Sequence, residues 1–187
     1  MDDDRTWGAS FTTWVGLVVL VVIAVVYFSE RTIDRHQAKV ARVFDLAKEY
    51  RLTLRQTNAQ FSTRWNEYLN DSVDPYNGGN LDERAYADLV NRFIAADDNH
   101  NNYEALAGFY DSIGDCVEAG LCDFWLARAM FGNDVVIFYH NMYPVLESEN
   151  QQGQSDAGIV EFVNRMHAAD RGEIQPDWRD RYSAWAG

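Results

Sequence analysis

Between Phe11 and Phe28 the chain reads FTTWVGLVVLVVIAVVYF, with no charge, no proline and the single glycine Gly16. An apolar helix of about 20 residues crosses a hydrocarbon core of about 30 Å. Ala9 and Ser10 extend the run to that length. Trp14 lies near one end and Tyr27 and Phe28 close the other, with Leu20 and Ile23 between. Aromatic rings of this kind favour the headgroup level. A single transmembrane helix is the reading. A cleaved signal peptide fits less well, because its start is basic and its cleavage site small. Here Asp2, Asp3 and Asp4 precede Arg5, and Tyr27-Phe28-Ser29-Glu30 follows the apolar run.

Flanking charge sets the expected orientation. Arg5 lies before the span, and Arg31, Arg35, Lys39 and Arg42 follow it. Lys and Arg are retained on the cytoplasmic side. The expectation is an N-terminus outside and a cytoplasmic C-terminal domain. The same four residues form the expected interaction segment, toward anionic lipid or toward other membrane subunits.

Three parts are expected: a tail and membrane helix over 1–29, a long basic helix over 30–70, and an acidic helical domain over 80–187. Hydrophobic content of 47% is that of a folding sequence. No strand-like alternation appears beyond the apolar run, so the fold class is all-α, ending in a compact helical bundle. The net charge of −13 is unevenly placed. Eight basic residues fall between Arg31 and Arg64. Between Asn66 and Glu161 only Arg84, Arg92 and Arg128 face eighteen acids. Such a body is repelled by nucleic acid, which excludes a nucleic-acid partner.

The long helix carries apolar residues at seven-residue steps: Ile33, Val40, Ala47, Leu54, Phe61 and Tyr68. A second row with Val43 and Tyr50 fails at Thr57 and Arg64. This is a docking stripe for helices of the same chain rather than a strong coiled coil, although a homo-oligomer is compatible with it. The bulky end, Leu54 to Tyr68 with Trp65, is expected to meet the bundle, and Ile33 to Ala47 to form a stalk. NDSVDPYNGGN over 70–80 is a loop, and Asn80 with Glu83 suits a capping box. Further helices are expected over about 80–97, 99–119 with Gly120 as stop, 123–130 ended by Gly132, 134–149 with a disturbance at Pro144, and 156–169. Pro176 suits the start of a last short helix through Trp178, Tyr182 and Trp185.

Candidate chemistry is thin. His100, Glu104, Asp111, Asp115 and Glu118 share one helical stripe. Carboxylates with a histidine can bind a divalent cation or work as an acid–base pair. One helix cannot wrap an ion, and the Glu-x-x-His of di-iron bundles does not occur. The stripe is therefore expected to be the wet side of an amphipathic helix, without metal. Cys116 and Cys122 lack the partners of a zinc site and are expected as reduced, buried thiols. No Gly-x-Ser-x-Gly elbow or phosphate loop occurs, so no catalytic residue and no cofactor is assigned.

Asn102-Tyr103-Glu104-Ala105-Leu106-Ala107, Gly120-Leu121, Phe131-Gly132 and Tyr143-Pro144-Val145-Leu146 carry a resemblance. Over residues 80–148 the chain resembles a family of bacterial membrane-anchored all-helical proteins of unknown function. Cys122 departs from it, where the family carries polar helix-starting residues. The resemblance implies a membrane helix, a long helix, a compact helical domain and the bacterial inner membrane. It implies no reaction. The functional expectation is an interaction or scaffold module, an accessory subunit of a larger membrane assembly. The alternative is a membrane-tethered enzyme or metal-dependent sensor using His100, Glu104, Asp111 and Asp115.

Overall fold

The computed structural model describes residues 5–72, 82–151 and 157–175, with side chains from residue 17 onward except those of 25, 28, 29, 97, 150 and 151. The described residues form six α-helices and no strand, so the chain is all-α. The helices are α1 (Arg5–Glu49), α2 (Arg55–Ser72), α3 (Glu83–Ile94), α4 (Asp97–Glu118), α5 (Phe124–Gln151) and α6 (Ala157–Asp170). The chain divides into two compact units, 1–38 and 39–187.

Among the described residues no helix is long and apolar enough to cross a membrane. The expected transmembrane helix has no support from them. Phe11, Trp14, Gly16 and Phe28 lie outside the described side chains. Leu20, Ile23 and Tyr27 lie within them and are exposed. The basic residues Arg31, Arg35 and Arg42 are exposed and Lys39 is half-buried. The helix expected after Pro176 and the cap at Asn80 fall outside the described residues. The cap observed is Asp82, whose carboxylate accepts the Ala85 N–H at 2.7 Å. It satisfies one of the N–H groups that a helix start leaves open.

The long helix is interrupted where sequence periodicity gave no sign of it. Tyr50–Leu54 forms a π turn between α1 and α2, and the Arg55 N–H donates to Tyr50 O, five residues back. Val43 and Ala47 before the turn are buried, as are Phe61 and Trp65 after it. Ile33 is exposed and Val40 half-buried. The expected stalk is thus shorter than Ile33–Ala47: the core already begins at Val43, which belongs to the row that seemed broken.

Phe61 and Trp65 meet Phe93 of α3 edge-on, with ring centroids 5.3 and 5.0 Å apart. Such aromatic pairs add to the gain from area burial. α4 is the central helix: Tyr103, Leu106, Tyr110, Ile113 and Val117 are all buried. Gly120 ends it in a left-handed conformation, φ +68°, as its position suggested.

Two expectations about α5 change. Gly132 does not end a helix; it lies buried inside one of 28 residues. An interior glycine costs only about 1 kcal/mol against alanine. Here it leaves room for α6, because an added Cβ would come within 3.1 Å of Met166 Sδ. Pro144 lies inside the same helix. Proline removes a helical donor and crowds the carbonyl four residues back, here that of His140. The Tyr86 hydroxyl of α3 donates to Asn141 O at 2.9 Å and reaches His140 O at 3.5 Å. A neighbouring helix thus supplies the donor that the proline lacks.

Candidate functional site

The carboxylate–histidine stripe on α4 does not stay together. His100 and Glu104 are exposed and pair with each other at 3.2 Å. Such a surface pair is worth little, since water screens it. Asp115 is exposed and Asp111 is buried, which corrects the expectation of a uniformly wet face. The reason is α6, whose N-terminus docks on α4 at this point. Asp111 Oδ1 accepts the Gly158 N–H at 2.8 Å and the Ile159 N–H at 3.4 Å. It serves as a cap delivered from another helix, and its charge suits the positive end of the α6 dipole.

That docking depends on two glycines. A Cβ on Gly114 would overlap the carbonyl of Gly158. A Cβ on Gly158 would lie 2.9 Å from both Asp111 Oδ1 and Asp115 Oδ1, and closer still to Asp111 O. The two helices therefore pack backbone against backbone. Among the described residues no group of three or more His, Cys, Asp or Glu side chains could hold a metal.

Burial pushes the Asp111 carboxyl above the ordinary aspartate value, Asp115 adds to the rise, and the two N–H groups oppose it. A raised folded pKa means that Asp111 favours the folded chain below its unfolded pKa. That contribution is lost as pH rises through the folded value. Asp111→Asn keeps an acceptor and removes the repulsion from Asp115. Its urea midpoint should fall less than that of the wild type between pH 4 and pH 7.5. Asp111→Ala leaves buried N–H groups unpaired and should cost about 1–3 kcal/mol at either pH. A parallel pH dependence in the wild type and the Asn variant would refute this role.

A second polar group sits where α2, α4 and α5 meet. The Tyr50 hydroxyl, on the π turn, donates to Asp134 Oδ2 at 2.8 Å, and Asn58 Nδ2 donates to the Tyr50 oxygen at 2.8 Å. The Tyr50 ring stacks on Phe109 and meets Phe131 edge-on. Tyr110 is fully buried, and its hydroxyl faces Tyr50 without reaching hydrogen-bond geometry. Burial pushes the Tyr50 hydroxyl up, the Tyr110 hydroxyl pulls the other way, and Asp134 adds to the rise. Burial raises Tyr110 far more, with Tyr50 and Asp134 contributing. Both phenols stay protonated at neutral pH, and Tyr50 acts as a donor to Asp134 and not as a base.

Beside this network lies a cleft of about 60 Å³ between α2 and α5, with Asn58, Ser62, Trp65, Asp134 and Asn141 on its walls. The Trp65 indole N–H is buried and makes no hydrogen bond within the described residues. A water occupies about 30 Å³ of liquid, so the cleft suits water-sized guests. No described nucleophile is paired with a base there. Had Gly132 ended a helix, Asn133 or Asp134 would cap the next one. Once α5 is continuous, Asp134 lies in its interior and its carboxylate is free to take Tyr50.

Cys116 and Cys122 are joined by a disulfide across 5.2 Å between Cα atoms, which corrects the expectation of reduced thiols. The turn after α4 brings them together, since the Leu121 and Cys122 N–H groups both donate to Cys116 O. A spacing of six residues across Gly120 permitted this closure without requiring it.

Comparisons with protein-family models, with curated proteins and with solved structures give no match to this chain.

Proposed function

We propose that the chain is a membrane-anchored helical interaction module, an accessory subunit of a larger bacterial membrane assembly with no catalysis of its own. One observation carries the reading. Seven consecutive residues of α1, Leu17 to Ile23, are all apolar and each is at least 51% exposed. A helix that is apolar on every side needs an apolar surrounding, either a protein interior or lipid. In sequence this patch continues to Phe11 on one side and Phe28 on the other, so lipid is the surrounding it fits. Arg31, Arg35, Lys39 and Arg42 follow and suit anionic headgroups or an acidic partner subunit. The compact unit over 39–187 would then be the part that meets partners.

Extraction of native membranes with alkaline carbonate tests the anchor. The full chain should stay in the pellet. Release of most of it into the supernatant would overturn the membrane reading. Purification in mild detergent tests the accessory role, which predicts stoichiometric co-purifying subunits; a protein recovered alone argues against it.

A further inference from the structure

We infer that the unit over 39–187 lies in an oxidising compartment, and that a thiol–disulfide exchange oxidase installs the Cys116–Cys122 bridge. The inference rests on the anchored reading and adds the side of the membrane: the N-terminus inside, the folded unit outside.

Three observations support it. The two cysteines are the only ones in the chain, and they are bonded to each other. Both bridge residues are buried, with Cys116 9% and Cys122 4% exposed. A regulatory disulfide has to meet its reductant, and labile bridges are the exposed or strained ones. A buried one that closes a helix end is a structural staple. Finally, the backbone alone prepares the closure: with Gly120 at φ +68°, the Leu121 and Cys122 N–H groups meet Cys116 O at 2.9 and 3.0 Å. This turn places the two cysteines within bridging reach of each other.

The chemistry balances as an exchange. The thiolate of one cysteine attacks a sulfur of the oxidase disulfide and forms a mixed disulfide. The thiolate of the other cysteine then displaces the oxidase. The chain loses two protons and two electrons, and the oxidase leaves as a dithiol. Closure precedes burial of the pair, because the finished fold shields both sulfurs. A reducing cytosol would not form such a bridge.

The basic flank favours the opposite side. Its effect is a bias on insertion, and long domains translocate largely regardless of charge. The bridge is a covalent record of where the unit folds, and it outweighs that bias.

The test uses the full chain in its native host. Cells are quenched in acid, and the denatured protein is alkylated with a large maleimide before or after reduction. Spheroplasts are treated with protease in parallel. No maleimide before reduction, two after it, and digestion of the 39–187 unit from outside are the expected results. Two maleimides added without reduction, or a unit protected until the spheroplasts are lysed, would overturn the inference. In cells lacking their envelope thiol oxidase, most molecules should gain both maleimides unreduced; unchanged bridging there overturns the exchange step. Carbonate extraction keeps the two readings apart. Release into the soluble fraction with the bridge intact sinks the anchor and supports the oxidising side. A pelleted protein with free thiols keeps the anchor and sinks the oxidising side.

Discussion

Gly114→Ala is expected to be among the most damaging single substitutions in the chain, although it adds only a methyl group. The methyl would occupy the position of the Gly158 carbonyl, which is backbone and cannot swing aside. To make room, α6 must lift from α4. That lift carries Gly158 and Ile159 away from Asp111 and opens the layer of Ile159, Phe162, Val163 and Met166. Overpacking a core costs about 1–3 kcal/mol where side chains can yield. With two backbones in contact the loss should reach about 3 kcal/mol or more. Urea unfolding of the purified full chain measures it. Gly108→Ala on the same helix is the control, because a Cβ there meets nothing within 4 Å. That change should be neutral or slightly stabilising, given the better helix propensity of alanine. Equal effects at the two glycines would mean that α4 and α6 do not cross as described.

Phe61→Ala should cost about 3–5 kcal/mol, the range for a buried phenylalanine. The ring is 2% exposed and bridges Phe93 of α3 and Phe138 of α5, with centroids 5.3 and 6.0 Å away. Its loss opens a cavity between three helices that are each held elsewhere. Val40→Ala, at a half-buried position, should cost well under that. Leu52→Ala should change stability by less than about 0.5 kcal/mol, because Leu52 is 74% exposed. Thermal or urea unfolding of the three variants checks the order. A small loss at Phe61 would mean that α2 does not belong to the core.

Much of this architecture could be read from the residues, and the failures share a cause. Amphipathic spacing located α3, α4 and α6 to within a few residues, and Gly120 marked the end of α4, because each of these signals is local. Phe61 and Trp65 were legible as core for the same reason. Gly132 misled because glycine has two uses, as a stop and as a gap for a neighbour, and only the position of Met166 tells which applies. That error carried over to Asp134 and hid its bond to Tyr50. The crossing of α4 and α6 was equally invisible: Gly114 and Gly158 are 44 positions apart, and neither is remarkable alone. An isolated glycine inside a helical pattern was the one available hint of close packing. Asp111 fits the wet stripe by periodicity, and only the arrival of another helix end removes it from water.

The π turn at Tyr50–Leu54 has a further consequence for how this protein tolerates change in chain length. Each residue advances an α-helix by about 100°. A π turn fits one extra residue into a single turn without that advance, so deleting one residue from it would restore a regular helix and keep Phe61 and Trp65 in phase with Val43 and Ala47. Both pairs are buried and would stay so. Point substitutions at the exposed Leu52 should be forgiven, and so should its deletion. The same deletion between Phe61 and Trp65, in regular helix, would turn Trp65 by about 100° and act as a core mutation.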